Sequence, residues 1–356
     1  MNGVADIPKT QEAALTEVHK QGLVFRDIPV QEPGNDQVLV KIMASGVCHS
    51  DLHSSDGDWP FPTKENCIGG HEGAGVVTKL GSHVTHLKVG DRVGIVWLHS
   101  ACGQCEYCVS GRETTCPLQQ TSGYSTDGTF QQYALAKASH VVKLPDSLSD
   151  IEAAPILCAG VTVYKGLKES NVRPGQFMVV VGAGGGLGHL AVQYAKAMGM
   201  LVIGVDEGEE KATLCKDLGA DYFIDFTLED VTAQVNEITR GGAHGILVAA
   251  ASNKPYSEAI GYLRSHGTLV CIGLPAEAML HASVFLIVAK CLVIKGSAVG
   301  TRQDVVEALD FAARGLVKTI HTLEKFENLN DVFDKMRKGK IAGRTVVDMT
   351  PIHDAA

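Results

Sequence analysis

The stretch Gly182-Ala183-Gly184-Gly185-Gly186-Leu187-Gly188 limits what this chain can fold into more than any other. It follows the apolar run Phe177–Val181 and opens a segment with helical spacing near residues 187–198, which predicts a strand, a tight turn and a helix. Glycines there let the backbone turn sharply and approach a pyrophosphate, which the free N–H groups and dipole of the helix start would stabilise. The strict G-x-G-x-x-G spacing is not met. Ending at Gly188, its first position is Ala183, and Gly182, Gly185 and Gly188 form a slightly longer variant. A glycine string alone is also what a flexible turn looks like, so the decisive partner is Asp206, at the end of the next apolar run. A carboxylate in that place accepts hydrogen bonds from the adenosine ribose and repels a 2′-phosphate, which favours NAD over NADP. The plain alternative for Asp206 is a solvated loop acid.

The residues after the turn keep the same rhythm. Strands are predicted at Phe177–Val181, Leu201–Val205, Tyr222–Asp225, Ile246–Ala250, Thr268–Ile272 and Leu292–Lys295, with helices near 187–198, 209–218, 228–239 and 255–264. The link around 276–290 is less clearly helical. Continuous apolar strands alternating with helices imply a doubly wound parallel sheet covered on both faces, with the six-strand count of a dinucleotide-binding domain. Residues 1 to about 155 differ: Val38–Ile42, Gly75–Val77, Arg92–Val96 and Val141–Leu144 read as short strands among glycine-rich turns. The fold class is therefore α/β plus β. The division is a mostly β domain over 1–155, a dinucleotide-binding domain over 156–318 and a tail, 319–356. A helix near 302–314 precedes that tail, and Arg344–Val347 is expected to return as a strand to the first domain.

Charge and cysteine content narrow the function. A net charge of −9 argues against a phosphate-backbone partner, so no nucleic acid is expected. No apolar run approaches the roughly 20 residues that span a bilayer, so no membrane is expected either. The first 25 residues hold Asp6, Glu12 and Glu17, no arginine and no signal pattern, which points to the cytoplasm. The ten cysteines should then stay reduced, as metal ligands, catalytic groups or core residues.

Four of them form Cys102-x2-Cys105-x2-Cys108-x7-Cys116. Such spacing can wrap one Zn²⁺ tetrahedrally with no open position, which marks a structural site, an iron–sulfur cluster being the rival. A second site needs distant residues. Cys48, His71 and Cys158 would give a Cys₂His set with a fourth position open, the form of a catalytic zinc. His71-Glu72 could instead begin an H-E-x-x-H helix, but Gly75 stands where the second histidine belongs and four nearby glycines would break the helix. The polar run Cys48-His49-Ser50-Asp51-Leu52-His53 is read as a turn that can bind metal through Cys48 and handle protons through Ser50 and His53.

Cys48–Asp51, Gly70-His71-Glu72-Gly73-Ala74-Gly75, the four-cysteine lobe at about 100–117, Ile156–Gly160 and the glycine turn occur in the order of zinc-dependent medium-chain alcohol dehydrogenases. The chain resembles the yeast-type, fungal ethanol dehydrogenases most. Gly57–Pro60, Asp127–Tyr133 and Ala308–Phe311 extend the likeness over nearly the whole length. The resemblance implies a GroES-like catalytic domain, a Rossmann domain, a homotetramer, and a catalytic zinc in the cleft facing NAD. It implies Cys48, His71 and Cys158 as zinc ligands, Glu72 as an acid able to approach the metal, and Asp51 as the carboxylate behind His71. His49 and Arg344 match pyrophosphate contacts. Thr162, Ile272, Leu274, Ser297 and Val299 match the nicotinamide lining, and Lys211 and Phe226 the adenosine side. Trp59 and Trp97 match the substrate wall. Ser50 stands where threonine is usual and Leu274 where methionine is often found, which leaves the size limit of the pocket open.

The activity implied is NAD-dependent oxidation of short primary alcohols, ethanol foremost, to aldehydes, and the reverse reduction. Zinc would stabilise an alkoxide, Ser50 would pass its proton through the ribose hydroxyl to His53, and hydride would go to NAD. Rival readings are a dehydrogenase for larger or aromatic alcohols, one for polyols, and a zinc-stabilised binding protein without catalysis.

Overall fold

The structure is a computed structural model and describes residues 7–250, 252–275 and 278–349. It divides into two units. One comprises 1–158, 301–309 and 321–356; the other comprises 159–300 and 310–320. Among the described residues, no helix is long and apolar enough to cross a membrane.

The first unit is built on the strand Gln37–Val47, which reads almost wholly apolar because both faces are covered. It pairs antiparallel with Gly73–Leu80 and Tyr133–Lys137 along its length, and with the returning strand Arg344–Asp348 near its end. Arg344–Asp348 in turn pairs parallel with His321–Lys325. A smaller sheet joins Val24–Pro29, Thr10–Thr16 and Cys67–Ile68. Thr10–Thr16 and Val24–Pro29 are too polar along their length for periodicity to single them out. One face of the larger sheet buries Val38, Val40 and Ile42 with Phe130. Leu329, Val332, Phe333 and Met336 close over that core from the helix Leu329–Arg337 at i, i+3, i+4 and i+7, the stripe an amphipathic helix presents.

One expectation fails in this unit. The run from His49 is not a turn but a helix, His49–Asp56. Cys48 caps it: the Asp51 carboxylate turns back to accept the Cys48 N–H at 2.9 Å, and Gly57 ends it in the left-handed conformation at φ +67. Polarity had suggested a loop, but capping residues at both ends outweigh a weak helical pattern.

Among the described residues the second unit carries six strands, Phe177–Val181, Leu201–Asp206, Tyr222–Asp225, Ala243–Val248, Leu263–Cys271 and Val293–Gly296. All pair in parallel, in the spatial order third, second, first, fourth, fifth, sixth. That is the doubly wound dinucleotide order, whose crevice lies at the carboxyl ends of the strands. The fifth strand begins five residues before the predicted Thr268. The helix expected over 255–264 shortens to Lys254–Glu258 plus a 3₁₀ turn, Ala259–Tyr262, which leads straight into that strand. The link around 276–290 forms a helix, Val284–Lys290; residues 276 and 277 lie outside the described residues.

Candidate functional site

Three local devices bring the first set of ligands together. Cys48 caps the helix His49–Asp56. His71 and Glu72 precede the strand Gly73–Leu80, and Cys158 follows the 3₁₀ turn Ala154–Leu157. One ligand atom from each of Cys48, His71, Glu72 and Cys158 lies within 4.8 Å of all the others, and all four residues are buried. His71 Nε2 stands 3.2 Å from Cys158 Sγ, while Nδ1 meets Asp51 at 2.8 Å. A carboxylate has no proton to give, so Nδ1–H donates and Nε2 is the nitrogen turned toward the thiols. Asp51 also accepts the N–H groups of Gly70 and Cys48, which ties the Gly70–His71 segment and the helix start to one buried carboxylate.

The charges of this cluster show what it is built to hold. A hydrogen bond from Cys158 draws the Cys48 thiol well below its ordinary range, and the same bond drives Cys158 well above it. Burial works against a charged His71, yet Asp51 and Cys48 together raise it well above the ordinary imidazole value. Burial lifts Glu72 to about 7. Its Oε1 pairs with Arg344 Nη2, but Oε2 is buried without a partner, as is Arg344 Nε. An orphaned carboxylate oxygen among two thiols and an oriented imidazole suits a dication that would displace the thiol protons. Gly46 keeps the space open: a Cβ there would come within 1.9 Å of Glu72 Oε2.

The second set is the lobe of Cys102, Cys105, Cys108 and Cys116, whose sulfurs also lie within 4.8 Å of one another. Thiolates about 2.3 Å from a tetrahedral centre stand about 3.8 Å apart. The Cys102–Cys108 and Cys105–Cys116 separations are 3.9 and 3.8 Å. The backbone N–H groups of Gln104 and Cys105 draw the Cys102 thiol down to about 6. The lobe is anchored by Glu113, whose buried carboxylate takes both the main-chain N–H and the guanidinium of Arg302.

In the second unit, Gly182 sits at φ +81 and the helix Gly188–Ala197 follows. Asp206 ends the second strand, nearly buried, and organises the turn before any ligand arrives. It accepts Gly184 N–H at 2.9 Å and Glu207 N–H at 2.9 Å, and pairs with Lys211 Nζ at 2.7 Å. Gly188 must lack a side chain, because a Cβ would lie 1.9 Å from the Gly182 carbonyl oxygen. Gly185, Gly186 and Leu187 complete the bend.

Two family models match the chain: an alcohol dehydrogenase GroES-like domain over residues 34–146 and a zinc-binding dehydrogenase domain over 186–314. An alcohol dehydrogenase of Schizosaccharomyces pombe is 51% identical over 97% of this chain and 99% of its own. The chain belongs to the zinc-dependent medium-chain alcohol dehydrogenases. Among solved structures, an acetophenone reductase from Geotrichum candidum in complex with NAD is 30% identical, with a TM-score of 0.85 over 97% of this chain and 98% of its own. Cinnamyl alcohol dehydrogenase from Sorghum bicolor is 29% identical, with a TM-score of 0.86 over 96% and 98%.

The remaining expected residues of this dehydrogenase fall as follows. Ser50 and His53 lie three residues apart on one helix, and His53 Nδ1 is 2.9 Å from Asp58. His49 is exposed, its ring 6.3 Å from that of His53. Trp97 stands edge-on to His71 at 5.0 Å, and Trp59 edge-on to Trp97 at 6.0 Å. Arg344, expected at the pyrophosphate, is buried and pairs with Glu72. Thr162 and Ile272 are buried, whereas Leu274 and Phe226 are exposed, Phe226 directly after the third strand. Ser297 Oγ is buried without a partner, and Val299 holds φ +41, a costly conformation for a β-branched residue. Sequence reasoning missed Tyr124. Its ring touches both indoles, at 5.5 and 6.0 Å, and its hydroxyl donates to the Phe61 carbonyl. Nothing in its local spacing marks it, since the contact is made across 65 positions from Trp59 and 27 from Trp97.

Proposed function

We propose that this dehydrogenase oxidises short primary alcohols, ethanol foremost, to aldehydes with NAD, and catalyses the reverse reduction. The observation that carries the reading is the aromatic wall. Trp97 stands edge-on to His71, with Trp59 and Tyr124 packed against it, so bulky rings border the metal-binding set, which favours a slender chain over a branched one. Asp206 supports NAD, since a buried carboxylate repels a 2′-phosphate.

Cys48, His71 and Cys158 would hold the catalytic zinc, with Glu72 within reach, and Cys102, Cys105, Cys108 and Cys116 the structural one. When bound, the catalytic ion supplies a Lewis acid that stabilises negative charge on oxygen; NAD supplies the hydride acceptor. The chain's own residues do the rest. Asp51 holds Nδ1–H and the ring plane of His71, so Nε2 is the nitrogen offered to the metal. Arg344 offsets the charge of Glu72 within a dry cluster that would otherwise hold an unpaired carboxylate. Ser50 Oγ sits on the helix face that carries His53. With Nδ1–H held by Asp58, His53 Nε2 is the atom left to take a proton toward solvent. Replacing His53 with Gln is expected to lower turnover about 10-fold, less than loss of a direct general base, and small amine bases should restore part of it. Steady-state rates with and without imidazole check this, and unchanged kinetics would remove His53 from the proton path.

Relative kcat/KM for ethanol, butanol and 2-propanol, with NAD and with NADP, tests the assignment. Ethanol with NAD should lead, and a preference for the secondary alcohol would overturn it. A second reading, larger or aromatic alcohols, draws support from the structural neighbours that act on cinnamyl alcohol and acetophenone by name, and from Ser50 and Leu274, which stand where threonine and methionine are usual in the family resembled.

A further inference from the structure

The run Gly184-Gly185-Gly186 has little conformational preference of its own, and a peptide between two glycines can flip at low cost. Such a turn binds a pyrophosphate well only if something outside it holds the N–H groups in place. Asp206 holds the Gly184 N–H, and the Gly185 N–H donates to the Gly182 carbonyl. The next peptide, between Gly185 and Gly186, is held by a side chain. The Gly185 carbonyl accepts the main-chain N–H of His189 at 3.0 Å and its ring Nδ1–H at 3.1 Å.

The tautomer follows from the partners. A carbonyl cannot donate, so Nδ1 carries the proton. Nε2 is therefore bare, and it accepts the Ile320 N–H at 3.2 Å. The ring is completely buried. One turn along the helix, Gln193 accepts the Lys318 N–H and donates to the Lys318 carbonyl at 2.8 and 2.9 Å. His189 and Gln193 thus hang the segment 318–320 from one helix face, and that segment fixes the imidazole in return. A peptide is planar and trans, so its C=O and N–H point in opposite directions. Pinning the Gly185 carbonyl toward the helix therefore aims the Gly186 N–H out of the helix start, where an anion would lie.

We infer that His189 is a positioning residue for the dinucleotide: its imidazole locks the Gly185–Gly186 peptide so that the Gly186 N–H faces the pyrophosphate. This rests on the cofactor reading proposed above. Asn offers an amide N–H near the place of Nδ1 and cannot reach Ile320, whereas Gln matches Nε2 and loses the Gly185 carbonyl. The test uses the zinc-loaded enzyme and measures binding of NADH, ADP-ribose and adenosine to the parent, His189→Asn, His189→Gln and His189→Ala. Zinc content and Tm serve as folding controls. Gln and Ala are expected to weaken NADH and ADP-ribose roughly 3- to 12-fold, the equivalent of one hydrogen bond, with adenosine unchanged and Asn close to the parent. If Ala does not fold, the Asn and Gln pair decides alone. Equal binding by all variants, Asn no better than Gln, or adenosine weakened as much as ADP-ribose would each overturn it. A parent that prefers NADPH defeats the cofactor reading alone, because both dinucleotides carry the pyrophosphate and the same variants then decide with NADPH. A parent that binds neither defeats both.

Discussion

Cys158→Ser is expected to leave one zinc per chain where two are expected in the parent, and to lower turnover by on the order of 1,000-fold or more. A serine hydroxyl is not ionised at neutral pH, so the substitution removes a thiolate from a site that has two. Glu72 would then be the last acid in reach, already engaged with Arg344. The lobe of Cys102, Cys105, Cys108 and Cys116 shares no residue with the altered site, so its metal should stay and the protein should fold. Metal analysis of the purified variant alongside steady-state rates checks both parts. Two zincs retained with activity intact would show that Cys158 holds no metal and that the cluster serves something else.

Asp206→Gly has the second largest expected effect. In the cofactor reading proposed above, the carboxylate accepts a hydrogen bond from the ribose. Losing one bond to a charged acceptor costs about 1.5–3 kcal/mol, or roughly 10- to 150-fold in kcat/KM for NAD. The same change frees Lys211 from the ion pair it makes at 2.7 Å, leaving a cation beside the place of a 2′-phosphate. The NADP to NAD ratio should therefore rise by more than the NAD loss alone. Lys211 separates the two contributions: the double variant Asp206→Gly, Lys211→Ala should keep the NAD loss and forfeit the NADP gain. An unchanged cofactor ratio would mean that selectivity is set elsewhere.

Several features were readable from the chain because they are local. The strand, glycine turn and helix occupy contiguous residues, and the strands Phe177–Val181 and Tyr222–Asp225 fall where apolar runs placed them. The helix His49–Asp56 was not readable, because capping by Asp51 and Gly57 had to outweigh a polar composition. Fifth-strand boundaries were missed as well. The parallel pairing of Leu263–Cys271 with its neighbours draws Leu263 into the sheet ahead of the apolar core of that strand, past a register shift between Ala243 and Gly245.

Residue types and short spacings determined the chemistry available: four cysteines within fifteen positions, a glycine turn followed by an acid, and thiols and imidazoles enough for a second metal. A short loop closes at small entropic cost, so ligands near in sequence announce their own site. Which distant groups meet was decided only by the tertiary structure. Cys48 and Cys158 are 110 positions apart, and Glu72 reaches Arg344 across 272. Those meetings depend on sheet register, above all on the last strand returning beside Gln37–Val47, which carries Arg344 into the cluster. Tyr124 against the indoles and His189 under the glycine turn are likewise products of packing. Side chains choose partners by the space and the unsatisfied polar atoms that folding brings to them, and neither is written at any single position.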